Sequence, residues 1–249
     1  MKEIKLIISI LFLSLHLFGQ NKSVDSLQLD KKDKFNYKSL ILPSLLIGYG
    51  VVGLESHALK GLNSSTKNEI AEHIDNKFTI DDFSQYSPFI AVYAMNVVNI
   101  KGKNNLKDRT IILGTSYLIM GATVNIIKKT GNTERPDGSA SNSFPSGHTA
   151  TAFMGAEFLF QEYKDVSIWY GISGYAVASG TGFFRMYNNR HWLSDVAAGA
   201  GIGIFSTKIA YWIHPLAKKS LFKKHKNIDG MIMPFYNSKT YGLGAFMTF

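Results

Sequence analysis

Six apolar stretches free of charged side chains follow one another along the chain: Ser39 to Leu54, Ser84 to Ile100, Thr110 to Ile127, Thr149 to Ala156, Val166 to Phe184 and Val196 to Thr207. They exceed the usual strand length and none alternates with period two, so they predict helices. Several approach the roughly 20 residues needed to cross a bilayer. They are also rich in Gly, Ala, Ser and Thr, which let helices approach closely in lipid. No repeat, low-complexity tract or interdomain linker separates them. The pattern therefore predicts one all-α bundle of about six core helices.

Polar segments interrupt or flank this pattern. Lys2 and Lys5, the apolar run from Ile4 to Phe18, and Gly19-Gln20-Asn21 follow the order of a secretory signal peptide. A retained anchor is the other reading of this segment. The resulting division is a signal segment over 1–20, a lysine-rich lead-in over 21–36, the helical domain over 37–228 and a tail over 229–249. Residues 57–83 carry Glu69, Glu72, Asp75, Asp81 and Asp82 and are expected to form a surface loop, with an amphipathic helix from Thr66 to Phe78. The tail alternates through Tyr241, Leu243, Ala245, Met247 and Phe249, as a strand or hairpin would.

Composition narrows the class. Of 249 residues, 45% are hydrophobic and only 18% charged, which excludes intrinsic disorder. A mean hydropathy of −0.00 lies between a soluble enzyme and a polytopic membrane protein. The absence of cysteine removes disulfides, thiolate metal sites and a Cys nucleophile. A net charge of +9 suits an anionic partner without choosing among nucleic acid, membrane surface and phosphorylated substrate.

The chemistry concentrates between Lys128 and Asp195, where Lys128, Arg135, His148, Arg185, His191 and Asp195 stand at the ends of apolar helices. Pro145-Ser146-Gly147-His148 opens a helix, and free N–H groups at such a start form an anion site. His191 and Asp195 are four apart, so a helix beginning near residue 190 puts both on one face. There the carboxylate can accept from one imidazole nitrogen and leave the other to attack. Three cations, a helix N-terminus and two histidines describe a pocket for a tetrahedral oxyanion, the equipment of phosphoryl transfer without a metal.

Three blocks carry a resemblance: K-x6-R-P from Lys128 to Pro136, P-S-G-H from Pro145 to His148, and R-x5-H-x3-D from Arg185 to Asp195. Together they resemble the signature blocks of the type 2 phosphatidic acid phosphatase (PAP2) superfamily, which also contains bacterial non-specific acid phosphatases and vanadium haloperoxidases. The resemblance extends from roughly Tyr37 to Ile213. It implies that His191 is the nucleophile forming a phosphohistidine and that Asp195 orients it. His148 would protonate the leaving oxygen and then activate water. Lys128, Arg135 and Arg185, with Ser146 and the Gly147 N–H, would hold the phosphate, and no metal or cofactor is implied. One departure is Phe184, where the family usually has Ser or another small residue. The wording from Thr181 to Ala198 looks most similar to bacterial envelope lipid phosphatases, including lipid A phosphatases.

Other residues read more plainly. His57, His73, His214 and His225 are expected to be solvated. Trp169, Trp192 and Trp212 suit either an interfacial belt or the core. The basic run of Lys218, Lys219, Lys223, Lys224 and Lys226 lacks the aromatic or Gly-rich elements of a nucleic-acid site, so no nucleic-acid partner is expected. The three blocks gather at one end of the bundle, and the positive-inside rule puts the lysine-rich opposite end in the cytoplasm. The expected location is the inner membrane with the site facing the periplasm, although six such spans conflict with a cleaved signal. The expected substrate is an anionic phosphorylated lipid: lipid A phosphate, undecaprenyl diphosphate or phosphatidate. A soluble periplasmic non-specific acid phosphatase is the alternative, followed by a binding protein with a dead site and by a haloperoxidase. Nothing in the pattern defines an oligomeric state.

Overall fold

A computed structural model describes residues 36–71, 79–221, 229–237 and 240–248. The signal segment, all of the lead-in but Asn36, and His73, His225, Lys223, Lys224 and Lys226 lie outside the described residues. After a 3-10 turn at Tyr37–Leu40, the helices are α1 (Ile41–Val52), α2 (His57–Ala71), α3 (Ile80–Ser84), α4 (Ser87–Val97), α5 (Leu106–Thr130), α6 (Gly147–Tyr163), α7 (Ile168–Tyr187) and α8 (Leu193–Leu221). An antiparallel hairpin follows, β1 (Asp229–Asn237) paired with β2 (Thr240–Thr248), as the alternation in the tail predicts.

The six apolar stretches become α1, α4, α5, α6, α7 and α8. Side-chain caps start several of them: Asn105 Oδ1 accepts from the Asp108 N–H at 2.9 Å, and Ser146 Oγ accepts from the Thr149 N–H at 3.4 Å. The region 57–83 is not the expected surface loop. Its first half is helical as α2, and α3 buries Asp81 at 1% exposure because that carboxylate meets the guanidinium of Arg185.

α6 and α8 are the centre of the bundle. α6 packs against α7, α8 and α4, while α8 also packs along α1 and α5. Small residues set the spacing. A Cβ on Gly199 would stand 2.5 Å from Ser146 O, and one on Gly203 would collide with Ala150 O, so α8 lies backbone to backbone on α6. Ala150, Met154 and Ile202 fill the core beside them with Met120 and Val124 of α5.

Around the apolar core, many large apolar side chains face outward while several charges lie inside. Arg109, Glu157 and Glu162 are about 1% exposed, whereas Leu118, Leu45, Ile126 and Trp169 are 74%, 65%, 62% and 69% exposed. The buried charges pair: Arg109 Nε donates to Glu162 at 3.2 Å, and Lys208 Nζ donates to Glu157 at 2.7 Å. α5 and α8 are long and apolar enough to cross a membrane. The stretches Tyr37–Val52 and His57–Ile70 are apolar enough together, but the chain bends by 93° between them. Two of the expected six spans thus meet the length and composition of a crossing among the described residues. His214 is not solvated, since Nε2 lies 3.3 Å from Asp108 and its side chain is only 14% exposed.

Candidate active site

Alternating helix directions bring four helix ends together: the C-termini of α5 and α7 and the N-termini of α6 and α8. Lys128 ends α5, Gly147 and His148 open α6, Arg185 lies in the last turn of α7, and Asp195 sits in the first turn of α8. Arg135 and His191 come from the intervening loops. All the residues expected from the three blocks are thereby gathered at one end.

The helix bearing Asp195 begins at Leu193 rather than near 190, so His191 precedes it in a bend. The pair still meets, with His191 Nδ1 3.5 Å from Asp195 Oδ2. Both are buried, at 4% and 0% exposure. Ser143 joins them: its hydroxyl donates to Asp195 Oδ2 at 2.5 Å and lies 3.4 Å from His191 Nδ1. The Trp192 N–H donates to the same oxygen at 2.9 Å. With Nδ1 engaged on this side, Nε2 is the nitrogen left for chemistry. Burial lowers the His191 pKa to about 4 against the opposing pull of Asp195, and the charges of Arg185 and Lys128 add to the lowering. The imidazole is therefore neutral at physiological pH, as a nucleophile must be.

The cations stand close enough to feel one another. Burial, then the like charges of Arg185 and Arg190, weaken Arg135's hold on its proton. Arg135 Nε and Arg185 Nε are buried and have no hydrogen-bond partner among the described residues, an unusual condition for guanidinium donors. Lys128 Nζ donates to Asn142 O at 2.5 Å, which ties α5 to the loop before α6. Ser146 is fully buried, its hydroxyl capping α6 and lying 2.8 Å from Thr149 Oγ1. The first-turn N–H groups of α6, including that of Gly147, still point out of the helix end.

A cavity of about 290 Å³ opens here, lined by Asp82, Arg135, His148, Arg185, Asn188 and Arg190 among others. His148 Nε2 is 2.9 Å from Asp82 Oδ1. Burial and the charge of Arg185 lower the His148 pKa, while Asp82 and then Asp81 oppose the shift. Asp81 Oδ2 accepts from Arg185 Nη1 at 2.5 Å, and its Oδ1 accepts from Asn188 Nδ2 at 3.1 Å. The carboxylates of Asp81 and Asp82 and the imidazole of His148 offer ligand atoms within 4.8 Å of one another, enough to hold a cation, although Arg185 already supplies positive charge there.

Several of these residues escape sequence reasoning. Asp81 and Asp82 sit in a stretch whose acidity suggests a loop, and the adjacent aspartates facing a site rich in cations are the one available signal. Arg190 bridges to Asp137 at 3.3 Å, and Lys67 of α2 donates to Pro136 O at 2.8 Å with its ammonium 5.5 Å from the Trp192 ring. Trp192 Nε1 donates to Glu134 O at 2.8 Å, so the loop carrying Arg135 is pinned from two sides. Asn63 of α2 holds the start of α8: Oδ1 accepts from the Ser194 N–H at 3.1 Å, and Nδ2 donates to Ser194 Oγ at 2.9 Å.

Residues 109–219, which contain all three blocks, match the sequence profile of the PAP2 superfamily. The match takes in less than half of the chain. Among curated relatives, a lipid A 1-phosphatase from Porphyromonas gingivalis is 44% identical over 138 residues, covering 55% of this chain and 31% of the relative. The bacitracin transport permease protein BcrC of Bacillus licheniformis is 29% identical over 98 residues, covering 39% of this chain and 46% of the relative. The chain thus spans less than half the length of either. Among solved structures, Aquifex aeolicus LpxE aligns with a TM-score of 0.47 at 23% identity, over 60% of this chain and 94% of that one. A transmembrane PAP2-type phosphatidylglycerolphosphate phosphatase from Bacillus subtilis aligns at 0.45 and 15% identity, over 77% of this chain and all of that one. The profile match agrees with the resemblance carried by the blocks, and the matched segment runs from the start of α5 into the end of α8.

Proposed function

We propose that this chain is a membrane phosphatase that hydrolyses a lipid phosphomonoester or diphosphate through a phosphohistidine on His191, without a metal. The observation that carries the reading is the pair of buried, unpartnered guanidinium N–H groups of Arg135 and Arg185 beside a buried His–Asp pair whose imidazole is neutral. Donors in this state suit an anion, and a neutral nucleophile beside them suits phosphorus.

In the first step His191 Nε2 attacks phosphorus while Asp195, with Ser143, holds Nδ1 and stabilises the charge that develops on the ring. Lys128, Arg135, Arg185 and the Gly147 N–H bind the phosphate oxygens, and each such donor contributes on the order of 10²–10³ in rate. His148 gives its proton to the leaving oxygen and then removes one from the water that cleaves the phosphohistidine. Ser146 supports the site through its cap on α6 rather than by its free hydroxyl.

The apolar exterior of α5, α7 and α8 suits a substrate whose stem lies in the bilayer. The relative named a lipid A 1-phosphatase makes a lipid A phosphate one member of the substrate class, with undecaprenyl diphosphate and phosphatidate the others. Lys218, at the end opposite the site, donates to Asp108, and Lys101, Lys103 and Lys107 belong to the same end. By the positive-inside rule that end faces the cytoplasm and the site the periplasm.

Purified protein in lipid, offered lipid A, undecaprenyl diphosphate, phosphatidate and a soluble phosphomonoester, is expected to release phosphate from one of the lipids in preference to the soluble ester. Chelator should leave turnover intact, and His191→Ala should abolish it. Turnover by His191→Ala would overturn the mechanism, and exclusive turnover of the soluble ester would overturn the substrate class.

A further inference from the structure

A site built to hold a phosphate must be rich in cations, yet its general acid has to arrive carrying a proton. These demands conflict at His148. It occupies the second position of α6, where the positive helix end disfavours an imidazolium. Arg185 faces it from α7, and Arg135 and Arg190 line the same cavity from the loops. The negative groups facing it are Asp81 and Asp82, both from α3.

Their roles divide. Asp81 is committed, with one oxygen on Arg185 and the other on Asn188. Asp82 puts Oδ1 2.9 Å from His148 Nε2 and only 3.9 Å from Arg185 Nη1, with a side chain 53% exposed. Its placement is anchored on both sides: Asp81 is buried against Arg185, and Ser84 Oγ is 2.8 Å from Thr181 Oγ1 of α7. A five-residue helix tied to α7 at two points thus presents one carboxylate to one imidazole.

We propose that Asp82 is a positioning residue for the leaving-group proton: it holds His148 by Nε2, favours the protonated ring against the surrounding cations, and leaves Nδ1–H to the leaving oxygen. The inference rests on the phosphatase reading above. In the first step the P–Nε2 bond to His191 forms as the bond from phosphorus to the leaving oxygen breaks, and the Nδ1 proton of His148 moves to that oxygen. In the second, water oxygen bonds to phosphorus as the P–N bond breaks, and the water proton returns to Nδ1. Asp82 to His148 then repeats, for the acid, the arrangement of Asp195 to His191 for the nucleophile.

The test compares Asp82→Asn and Asp82→Glu with the unaltered full chain in lipid, on an alkyl phosphomonoester and on an aryl phosphomonoester, whose leaving group needs little protonation. Asp82→Asn should lower kcat/KM on the alkyl ester about 100-fold, within the range typical of general acid catalysis, and on the aryl ester only several-fold. The basic limb of the alkyl-ester pH profile should move to lower pH, because the carboxylate that favours the imidazolium is gone. Asp82→Glu should restore most of both. Aryl-ester turnover also reports that the variant folds.

Equal losses on both esters with an unmoved pH profile would make Asp82 merely structural and overturn the proposal. A gain on both esters would overturn it by making Asp82 a competitor of the phosphate. Loss of activity to chelator with rescue by a divalent cation would assign Asp82 and His148 to a metal, again overturning it. The reading it rests on fails separately, if His191→Ala still releases phosphate from either ester.

Discussion

Acidification should destabilise this protein through His191 in particular. The folded state holds the imidazole at a pKa of about 4, whereas an exposed histidine titrates near 6.5. Because the folded pKa is the lower one, the unfolded chain binds the proton more readily, and stability falls as pH drops from 6.5 towards 4. A difference of about 2.5 units leaves about 3 kcal/mol of stability lost by pH 4, at roughly 1.4 kcal/mol per unit. The group is 4% exposed, so little of this is screened by solvent. For a domain of about 200 residues, 3 kcal/mol corresponds to a fall of roughly 6–12 °C in Tm. The assay is thermal unfolding in one detergent at a series of pH values, for the unaltered chain and for His191→Asn. His148, whose pKa is also lowered, titrates in both proteins, so the difference between the two curves isolates His191. The difference should be flat above pH 7 and widen steadily below 6.5. Parallel curves down to pH 4 would refute the reasoning, because a buried neutral imidazole cannot be removed without changing the proton uptake of unfolding.

Two further outcomes follow from packing. Gly203→Ala drives a Cβ into Ala150 O and should lower stability by about 1–3 kcal/mol, while Gly180→Ala, which meets nothing within 4 Å in a helical position, should be neutral or stabilising by up to about 1 kcal/mol; thermal unfolding of both separates them. Asn63→Ala removes the side chain that satisfies the start of α8 and should cost about 1 kcal/mol, seen as a fall of about 2–4 °C in Tm.

The helical core was legible because its six apolar stretches are long and uninterrupted, and the site because its residues stand at the ends of those stretches. What the pattern under-read were helix lengths. The stretch Thr149 to Ala156 stops where Glu157 begins, yet α6 continues to Tyr163, since Glu157 and Glu162 face inward to Lys208 and Arg109. Charges that look like the end of an apolar segment are here its internal ion pairs. The same inversion hid α3: Asp81 and Asp82 resemble solvated loop residues until Arg185 and His148 arrive from more than 60 residues away. Ser143 carries no local mark at all, because only the folded loop between Thr133 and Ser146 brings its hydroxyl onto Asp195. Ser146 illustrates the converse. A motif position suggests phosphate binding, while the local helix start claims the hydroxyl as a cap.

α8 has 29 residues, about 43 Å at 1.5 Å per residue, against a bilayer hydrocarbon core of about 30 Å. A helix longer than the hydrocarbon around it accommodates by tilting or by bending, and Pro215 offers a place to bend. The same helix carries Asp195 in its first turn and lies on α6, which carries His148, with Gly199 and Gly203 allowing no slack between the two backbones. With no slack between the two backbones, a tilt of α8 carries α6 with it, so the spacing of His191 and His148 is set by Gly199 and Gly203 and is insulated from the thickness of the surrounding bilayer.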